Sequence, residues 1–490
     1  MSNWRGKSSA WRSGARPPAR PCAARNVSSC KAPEAALTHF VEELDDPPDP
    51  ADACAQFLDL PFPILLDSAA PHPTISRFSY LTADPIRLFQ SRPGDAHDAV
   101  AAADAWLQQR RADPIPDLPP FQGGLAGYVG YEYGRRLERI AAPRHDDLRL
   151  PDVQLGAYDW VVAWDHERGK AWVVIQAGQW VGSAGRVEPR DRLAMVMDRL
   201  AKAAPPGGPE RSGTSPEIRS GFTRDEYLAA VERVRQYILA GDVFQANLSQ
   251  RFEAPCALEP FEFYRRLRDV NPAPFAAYLQ GEQFAVASAS PERFLHVTPE
   301  GAVETRPIKG TRPRGPTPDE DEAQIAELMA SEKDRAENVM IVDLLRNDLS
   351  KVCRPGSVEV PALCALESHP TVHHLVSTVT GVLEPGRTAL DLLRAAFPGG
   401  SVTGAPKVRA MEIIAELEPV ARGVYCGAMG YVSATGAMDT SIPIRTVTLQ
   451  GGRAWFHAGG GIVADSDPAL EYDETLAKAA GIVHALESAP

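Results

Sequence analysis

Apolar positions recur at helical spacing early in the second half of the chain. Thr223, followed by Glu226 three residues later, has the pattern of a capping box, and the helical period after it runs to a stop at Gly241. A long helix is also predicted over residues 320–349. A final helix is predicted to begin at Asp467-Pro468, because Asp is a favoured N-cap and Pro is favoured at the first helical position.

A period of two predicts strands between these helices. In DVFQANLSQRF, Phe244, Ala246 and Leu248 fall on one face. Hairpins are predicted around Gly281 and Gly301, and later strands over GAMGYVSA, SIPIRTVTL and RAWFHAGG. Because strand groups and helix groups alternate irregularly, the pattern predicts an α+β fold with large, mostly antiparallel sheets rather than a doubly wound parallel sheet.

One segment without any apolar period divides the chain. Residues 203–221 are dense in proline, glycine and serine, which predicts a linker between a body over 35–202 and a body over 222–487. Residues 1–34 form a basic leader. Its composition overlaps with that of a transit peptide, but a disordered tail is favoured because no amphipathic helix pattern is visible.

Composition narrows the classes of function. Apolar residues make up 44% and charged residues 23% of the chain, as in ordinary globular proteins, and no apolar run is long enough to predict a membrane span. The net charge is −13, although the leader is basic, and so acidic a body argues against a nucleic-acid partner. The seven cysteines are dispersed without metal-ligand spacing, which is typical of reduced thiols in a cytoplasm.

Two predicted helices carry acidic pairs spaced three residues apart. Asp334 and Glu337 form the first pair; Glu471 and Glu474, followed by Lys478, form the second. One interpretation is a solvated helix face with a Glu474–Lys478 ion pair. The other is a site for Mg²⁺, which binds few protein carboxylates and completes its shell with water and substrate oxygens.

Other polar groups point to an anionic substrate. The glycines at 459–461 follow a predicted strand and could bring backbone N–H groups close to an anion, although a plain turn is the alternative. FPGGSVTGAPK lacks the Gly-Lys-Ser/Thr of a Walker nucleotide site. Arg445 is placed in an apolar strand, where a carboxylate is the partner that its geometry suits best. Glu292 ends a predicted strand and could act as an acid if its pKa were raised.

These motifs together resemble those of a known family. The blocks, in order over 222–487, are FQANLSQRF, ASASPERF, PIKGTRPRG, DRAENVMIVDLLRNDL, HHLVSTVTG, FPGGSVTGAPKVRAMEII, RGVYCGAMGY, IPIRT and AGGGIVADSDPALEYDET. The set resembles the chorismate-utilising enzymes, and FQGGLAGYVGYE in the first body is similar as well. The resemblance implies large antiparallel sheets packed face to face and flanked by helices.

Two positions separate the reactions within that family. Members that activate water carry a lysine where this chain has Gln245, which cannot act as a base. Anthranilate synthases carry a small residue where this chain has Lys309, and a lysine there is similar to the aminodeoxychorismate synthase branch. The resemblance therefore implies conversion of chorismate and ammonia to aminodeoxychorismate, on the way to 4-aminobenzoate and folate. An anthranilate synthase, or a non-catalytic regulator that binds chorismate or tryptophan, is the alternative.

The resemblance also implies a role for each candidate residue. Lys309, on backbone fixed by Pro307 and Gly310, would attack the ring, Glu292 would protonate the leaving hydroxyl, and His374 matches an active-site histidine of the family. The implied substrate-binding residues are Gln245, Thr311, Ser401, Tyr425, Arg445, Gly459, Gly461 and Lys478. The implied Mg²⁺ ligands are Glu337 and Glu474, with Asp334 and Glu471 in support.

The source of ammonia and a second pocket complete the expectations. No cysteine lies in a Gly-x-Cys-x-Gly setting, so the resemblance implies a separate glutamine amidotransferase subunit as partner. The first body is expected to keep the family's tryptophan pocket near Leu66, Asp67 and Ser68. Asp67 stands where the family usually has a glutamate.

Overall fold

The computed structural model describes residues 39–70, 75–177, 180, 187–202, 216–368 and 372–487. The leader predicted over 1–34 and most of the predicted linker lie outside these ranges. The helices are α1 Pro50–Ala55, α2 Ala99–Gln108, α3 Gly134–Leu137, α4 Pro189–Leu200, α5 Arg224–Leu239, α6 Pro260–Val270, α7 Pro318–Ala330, α8 Glu332–Ser350, α9 Ala389–Ala396, α10 Lys407–Leu417 and α11 Pro468–Leu486.

The strands of the described residues form two large sheets. In the first half of the chain they are β1 His39–Leu44, β2 Ile64–Asp67, β3 Phe78–Thr82, β4 Arg87–Ser91, β5 Gly124–Val129, β6 Val153–Tyr158, β7 Trp160–Asp165, β8 Lys170–Gln176, β9 Arg219–Ser220, β10 Gln245–Pro255 and β11 Phe275–Gln280. In the second half they are β12 Ala285–Ser290, β13 Arg293–Val297, β14 Ala302–Thr305, β15 Ile308–Pro313, β16 Glu359–Ser368, β17 Val372–Val382, β18 Gly404–Ala405, β19 Ala428–Ser433, β20 Met438–Ser441, β21 Thr446–Gln450 and β22 Arg453–Ile462.

Strand pairing within both sheets is antiparallel, as the sequence pattern predicts. The first sheet has twelve strands in the order β1-β8-β7-β3-β2-β11-β12-β21-β22-β10-β18, with β9 also paired to β10. The second has ten strands in the order β15-β17-β14-β13-β20-β19-β5-β6-β4, with β16 also paired to β17. The predicted α+β class with large antiparallel sheets is therefore confirmed.

The two bodies predicted from the sequence share both sheets. In the first sheet β2 pairs with β11, so that Asp67 lies opposite Ala276. In the second sheet β5 pairs with β19, so that Gly127 lies opposite Gly430. The chain from Thr38 onward accordingly forms one compact unit. The predicted division into 35–202 and 222–487 does not separate two cores, because each half would otherwise leave long sheet edges unpaired.

The sheets pack face to face around a shared apolar layer. Tyr80 from the first sheet contacts Tyr431 from the second at a ring-centroid distance of 5.1 Å, and Phe121 stacks on Tyr431 at 4.7 Å. Neighbours of these residues, such as Leu81 beside Tyr80, point to the opposite face and pack under helices instead. Because both faces are covered, strands such as WVVAWD are almost wholly apolar.

The helices cover the outer faces of the sandwich. Helices α1, α4, α6 and α11 pack on the first sheet, and α2, α8 and α9 pack on the second. Helices α5 and α10 pack beside β10 and β22 at the edge of the first sheet. None of the helices in the described ranges combines the length and apolar character that crossing a bilayer requires.

Several local predictions are confirmed. Thr223 and Glu226 form the capping box at the start of α5. Hairpins turn at Gly281, between β11 and β12, and at Gly301, between β13 and β14. Helix α11 begins at Pro468 with Asp467 as its N-cap. Each of these features depends on residues close together in the chain.

Other local predictions were wrong in position. The single helix predicted over 320–349 is broken at Ser331, which ends α7 and caps α8 by accepting a hydrogen bond from Asp334 N. Phe244 precedes β10 and is 71% exposed, so it does not share the buried face of Ala246 and Leu248. The strand predicted over SIPIRTVTL is interrupted, and Arg445 lies in the connection between β20 and β21 with a φ of 52°.

Candidate active site

The candidate residues come together over the glycine-rich part of β22. Gly459, Gly460 and Gly461 lie within this strand rather than after it, which corrects the sequence prediction. A Cβ atom on Gly460 would lie 3.1 Å from Glu471 Oε2, 3.6 Å from Glu474 Oε1 and 3.7 Å from Lys478 Nζ. Helix α11 therefore aligns the three side chains, spaced i, i+3 and i+7, against a strand that has no side chains at this point.

Gln245 and Lys309 meet at the next residue of the same strand. A Cβ atom on Gly461 would collide with the Gln245 amide nitrogen and would lie 3.4 Å from Lys309 Nζ. Gln245 is 1% exposed, and its Oε1 has no hydrogen-bond partner among the described residues. A buried amide oxygen without a partner is costly, so this position suits a donor supplied by a ligand.

Lys309 lies on a strand segment whose backbone is conformationally constrained. It lies in β15, followed by Gly310 at φ +88°, where a side chain would be strained and would press on the Asp334 side chain. The Lys309 side chain is only 13% exposed, and its Nζ lies 3.9 Å from Glu337 Oε2 on α8. The amine is thus shielded from solvent and directed toward Glu337.

Glu292 is a buried acid near this amine. It is 5% exposed and follows β12. Burial raises the pKa of Glu292 to about 7, although the nearby Ser401 hydroxyl and the positive charge of Lys309 oppose the shift. Its Oε1 has no hydrogen-bond partner among the described residues. A carboxyl group that keeps its proton near neutral pH can serve as a general acid.

Three glutamates of the site each have a lysine counterpart. Glu337 has Lys309, Glu471 has Lys333 at 3.7 Å, and Glu474 has Lys478 at 2.5 Å. Because each of these carboxylates has a lysine close to it, the carboxylates can lie near one another without a large mutual repulsion.

Burial and these lysines act in opposite directions on the pKa values. Burial raises the pKa of Glu337 and of Glu471, against the opposing charge of Lys333. Burial also opposes ionisation of Glu474, but the charge and hydrogen bond of Lys478 outweigh it, so the pKa of Glu474 is lowered. Glu474 is therefore the carboxylate best prepared to bind a cation.

The donor chemistry of this cluster fits Mg²⁺. Within the described ranges no three His, Cys, Asp or Glu side chains converge closely enough to form a complete metal cage. Mg²⁺ does not require one, because it is usually bound by one or two carboxylates together with water and substrate oxygens. Glu474 and Glu471 approach one point over Gly460. Asp334, by contrast, lies 3.4 Å from the Arg312 guanidinium and is directed toward that charge.

A cationic and an aromatic group lie beside the cluster. Burial lowers the pKa of the Arg445 guanidinium, while Tyr425 and Glu474 oppose that shift, and no described carboxylate lies within 4.0 Å of it. Tyr425 is 6% exposed and stacks on the His457 ring at a centroid distance of 5.0 Å. Arg445 is thus available for an anionic ligand.

The remaining predicted residues are placed as follows. Thr311 Oγ1 lies 2.8 Å from His374 Nδ1, because β15 and β17 pair these residues in register. Ser401 lies in a short 3-10 turn, Gly400–Val402, and is 8% exposed. Lys478 Nζ donates to the Gly459 carbonyl at 2.9 Å. His374 therefore contacts Thr311, two residues along β15 from Lys309.

Leu66, Asp67 and Ser68 lie in a separate cavity between the sheets. Its volume is about 380 Å³, and its lining contains none of the residues predicted for catalysis. Asp67 is 3% exposed and accepts hydrogen bonds from three side chains, Ser79 at 3.0 Å, Tyr264 at 2.9 Å and Arg268 at 2.7 Å. Its carboxylate is therefore engaged by the protein itself.

Two residues of the site were missed by sequence reasoning. Lys333 precedes Asp334 and belongs to no pattern that marks it out in the sequence; only the contact with Glu471 on α11 gives it a role. The Ser466 hydroxyl donates to Glu471 Oε1 at 2.7 Å. Its place immediately before the Asp467 cap could have indicated this, because a serine near a helix start often bonds within the first turn.

Comparison with known proteins agrees with this geometry. The family model of the chorismate binding enzymes matches residues 63–484. Aminodeoxychorismate synthase component 1 of Klebsiella aerogenes is 43% identical over 442 residues, which cover 87% of this chain and 94% of that protein. Anthranilate synthase component 1 of Arthrobacter globiformis is 38% identical over 456 residues, covering 88% and 86%. The crystal structure of anthranilate synthase component I from Streptococcus pneumoniae TIGR4 superposes with a TM-score of 0.75 at 34% identity, covering 84% and 93%.

Proposed function

Because the chain belongs to the chorismate-binding enzyme family, we propose that it is component 1 of an aminodeoxychorismate synthase. In this function it converts chorismate and ammonia to 4-amino-4-deoxychorismate. Overall identity does not decide between this activity and that of an anthranilate synthase, because relatives with the two names are 43% and 38% identical to it.

The observation that carries the proposal is the position of Lys309. Its amine lies 3.9 Å from Glu337 and beside Gln245, over the glycines of β22. A primary amine shielded from water in a polar cleft is a suitable nucleophile for a substrate carbon. The side chain that an anthranilate synthase carries at this position, usually alanine, could not take that role.

The first half of the proposed reaction joins the enzyme to the substrate. The uncharged Lys309 nitrogen forms a bond to C2 of chorismate, the ring double bonds shift, and the C4–oxygen bond breaks. Glu292 gives its proton to the leaving oxygen, which departs as water, and its carboxylate then accepts the proton that the lysine nitrogen loses. The pKa of Glu292, raised by burial to about 7, suits both transfers.

The second half releases the enzyme. Ammonia attacks C4, the double bonds shift back, and the bond between C2 and the lysine nitrogen breaks. The departing lysine nitrogen takes up the proton that the added ammonia loses. Arg445 and Tyr425, with the backbone of Gly459 and Gly461, hold the enolpyruvyl carboxylate throughout, and Thr311, with His374 behind it, lines the cleft.

The glutamates supply a metal site in this proposal. Glu337 and Glu474, with Glu471 and Asp334 in support, would hold Mg²⁺, which when bound would neutralise the ring carboxylate and the charge that develops as the hydroxyl leaves. Glu471 is the better placed of the two supporting residues, because Asp334 lies against Arg312.

Ammonia comes from a partner in this proposal. The five cysteines of the described ranges, Cys54, Cys256, Cys353, Cys364 and Cys426, are all buried, and burial raises the pKa of Cys54, Cys256, Cys353 and Cys426, so those four suit packing better than nucleophilic attack on glutamine. The relatives are named component 1. A glutamine amidotransferase subunit is accordingly the proposed second component.

The test is the identity of the product. Purified protein is incubated with chorismate, ammonium and Mg²⁺, and the products are separated and identified by mass. We expect a non-fluorescent amino-substituted product that still carries the enolpyruvyl group; incubation without ammonium is the control. Fluorescent anthranilate as the main product would overturn the proposal in favour of the rival synthase.

A further inference from the structure

A buried ion pair lies behind the candidate active site and takes no part in the mechanism above. Glu418 follows the last turn of α10, and Arg422 lies four residues later; their side chains are 5% and 1% exposed. The guanidinium binds the carboxylate through two atoms, Nε to Oε2 at 2.9 Å and Nη2 to Oε1 at 2.7 Å. A buried pair of this kind contributes little net stability, because desolvation offsets the attraction.

The pair connects three segments of backbone. Arg422 Nη1 donates to the Val402 carbonyl at 3.0 Å, and Nη2 donates to the Asn247 carbonyl at 2.7 Å. Glu418 Oε1 accepts hydrogen bonds from both the backbone N–H and the hydroxyl of Ser249, each at 2.8 Å. The two side chains thus join the turn at Gly400–Val402 to strand β10.

Each of these segments carries part of the active site. Val402 directly follows Ser401 in a turn that packs against the neighbours of Glu292. A Cβ atom on Gly399, which precedes this turn, would lie 2.9 Å from the Ile442 side chain, and the Ile442 N–H donates to the Glu292 carbonyl at 3.0 Å. Asn247 and Ser249 lie opposite Gly461 and Gly459 in the pairing of β10 with β22. The acid and the glycine backbone that faces the substrate are therefore tied to the same guanidinium.

The same guanidinium also faces an aromatic residue of the site. Arg422 lies 4.5 Å from the ring centroid of Tyr131 and 5.8 Å from that of Tyr425. The Tyr425 ring is also stacked on the His457 ring, at an interplanar angle of 11°. A loss of Arg422 would leave this ring without one of the contacts that fix it.

We propose that Arg422, oriented by Glu418, is a positioning residue that holds the Ser401 turn, and with it Glu292, at a fixed distance from the glycines of β22. The proposal rests on the proposed function, because it assumes that Glu292 acts on a substrate bound over these glycines. Arg422 itself touches no reacting atom in this proposal.

The test removes both charges together. The double variant Glu418→Gln/Arg422→Met leaves no unpaired buried charge and keeps the oxygen that accepts from Ser249. We expect kcat to fall by about 100-fold, the loss that a displacement of about 1 Å can cause. KM for chorismate should change much less, because Arg445 and the cation site are untouched.

The pH profile distinguishes positioning from a general loss of stability. Burial raises the pKa of Glu292, and four groups oppose this shift: the Ser401 hydroxyl, the charge of Lys309, the Ile308 backbone N–H and the charge of Lys478. If the Ser401 turn moves away, the pKa of Glu292 rises further, and activity should persist to higher pH than in the wild type. An enzyme that has merely lost part of its folded population would lose the same fraction of activity at every pH.

A matched control and a milder variant keep the test decisive. Arg192→Met/Asp84→Asn/Asp159→Asn removes another buried arginine together with the two carboxylates that pair with it, at 2.7 and 3.6 Å, far along the chain from the site. This control should lower Tm but leave kcat and the pH profile unchanged. If the Glu418/Arg422 double variant does not fold, Arg422→Lys replaces it. This variant keeps the positive charge but loses the two-atom contact that a guanidinium makes with a carboxylate. We expect kcat to fall by about 10-fold, with the pH profile shifted in the same direction.

The outcomes separate this proposal from the proposed function, because the assay follows consumption of chorismate whatever the product. A wild type that makes anthranilate would overturn the proposed function and leave the positioning test in force. A folded double variant, or a folded Arg422→Lys, with wild-type kcat and pH profile would overturn the positioning role alone. A reduced kcat with the profile moved to higher pH would support it.

Discussion

The side-chain nitrogen of Lys309 lies 3.9 Å from Oε2 of Glu337, and both side chains are 13% exposed. The lysine comes from strand β15 and the glutamate from helix α8. At this distance each charge stabilises the other, and at this burial neither is well solvated. A ligand or cation that binds Glu337 would therefore free the Lys309 amine to approach the substrate.

The first prediction concerns the amine itself. Lys309→Ala should abolish any covalent enzyme–substrate adduct and lower aminodeoxychorismate formation by about 10³-fold or more, since a nucleophile has been removed. Intact-mass measurement after incubation with chorismate alone reads out the adduct. Lys170→Ala, which removes an exposed lysine paired with Glu43, is the matched control and should behave as wild type. Unchanged turnover in Lys309→Ala would remove the nucleophile role.

The second prediction concerns the acid. Glu292 must carry its proton to act as an acid, and burial raises its pKa to about 7, so kcat/KM of the wild type should fall as the pH rises above about 7. In Glu292→Gln the rate should drop by about 10²- to 10⁴-fold and this alkaline limb should disappear. Steady-state rates between pH 5.5 and 9 measure both effects. A variant that kept the limb would show that another group gives rise to it.

The third prediction concerns the cation. Glu474→Gln removes the site carboxylate whose pKa is lowered, and Mg²⁺ affinity should fall at least about 10-fold, the smallest loss that removal of even an outer-shell partner causes. Titration calorimetry of Mg²⁺ in the Lys309→Ala background, with chorismate present, measures binding without turnover.

The control for this titration is Asp343→Asn. Asp343 lies on α8 as Glu337 does, but its side chain is 68% exposed and paired with Arg346. Mg²⁺ affinity should not change in this variant. Equal affinities for Glu474→Gln and the wild type would place the cation elsewhere.

The fourth prediction concerns the cavity between the sheets. Asp67→Asn leaves Arg268 with only its outer partner, Asp49, and should lower the free energy of unfolding by about 3 kcal/mol, the low end of the range for breaking a buried pair. Urea unfolding measures the change. Asp59→Asn, which removes an exposed partner of Arg199, should cost less than about 1 kcal/mol. Equal stabilities of the two variants would contradict a structural role for Asp67.

Tryptophan binding is checked on the same protein. The three side chains that engage Asp67 leave its carboxylate little capacity to bind an added amino group. We expect tryptophan to leave the rate of chorismate consumption unchanged. Inhibition by tryptophan would show that other residues of the lining, such as Arg293 or Glu304, recognise it.

Features encoded by close neighbours in the chain were predicted well. The Thr223–Glu226 capping box, the hairpin turns at Gly281 and Gly301 and the Asp467 cap are all confirmed. Each depends on the conformational preferences and hydrogen bonds of a few consecutive residues, so the sequence pattern is enough to identify it. The same holds for the motifs, which placed the candidate lysine, glutamates and arginine in recognisable short blocks.

Errors appeared where distant parts of the chain compete for burial. The helix predicted over 320–349 is broken at Ser331, and Phe244 matched the period of its strand but lies outside it. The linker composition at 203–221 suggested two domains, whereas strands from the two halves join edge to edge in the same two sheets. Which strand edge meets which is decided by the whole set of strands, and no local pattern records that choice.

The sequence by itself determined the class of fold, the helix caps, the hairpins and the kinds of side chain available for chemistry. Only the tertiary structure decided that Lys309 meets Glu337 and that Lys333 meets Glu471. It also decided that Asp334 is directed toward Arg312 instead of toward the glutamates of the site. The physical reason is that a charged side chain pairs with an opposite charge that the packing of the fold places within a few ångströms of it. In this chain that packing is set by two sheets, each built from strands of both halves of the chain.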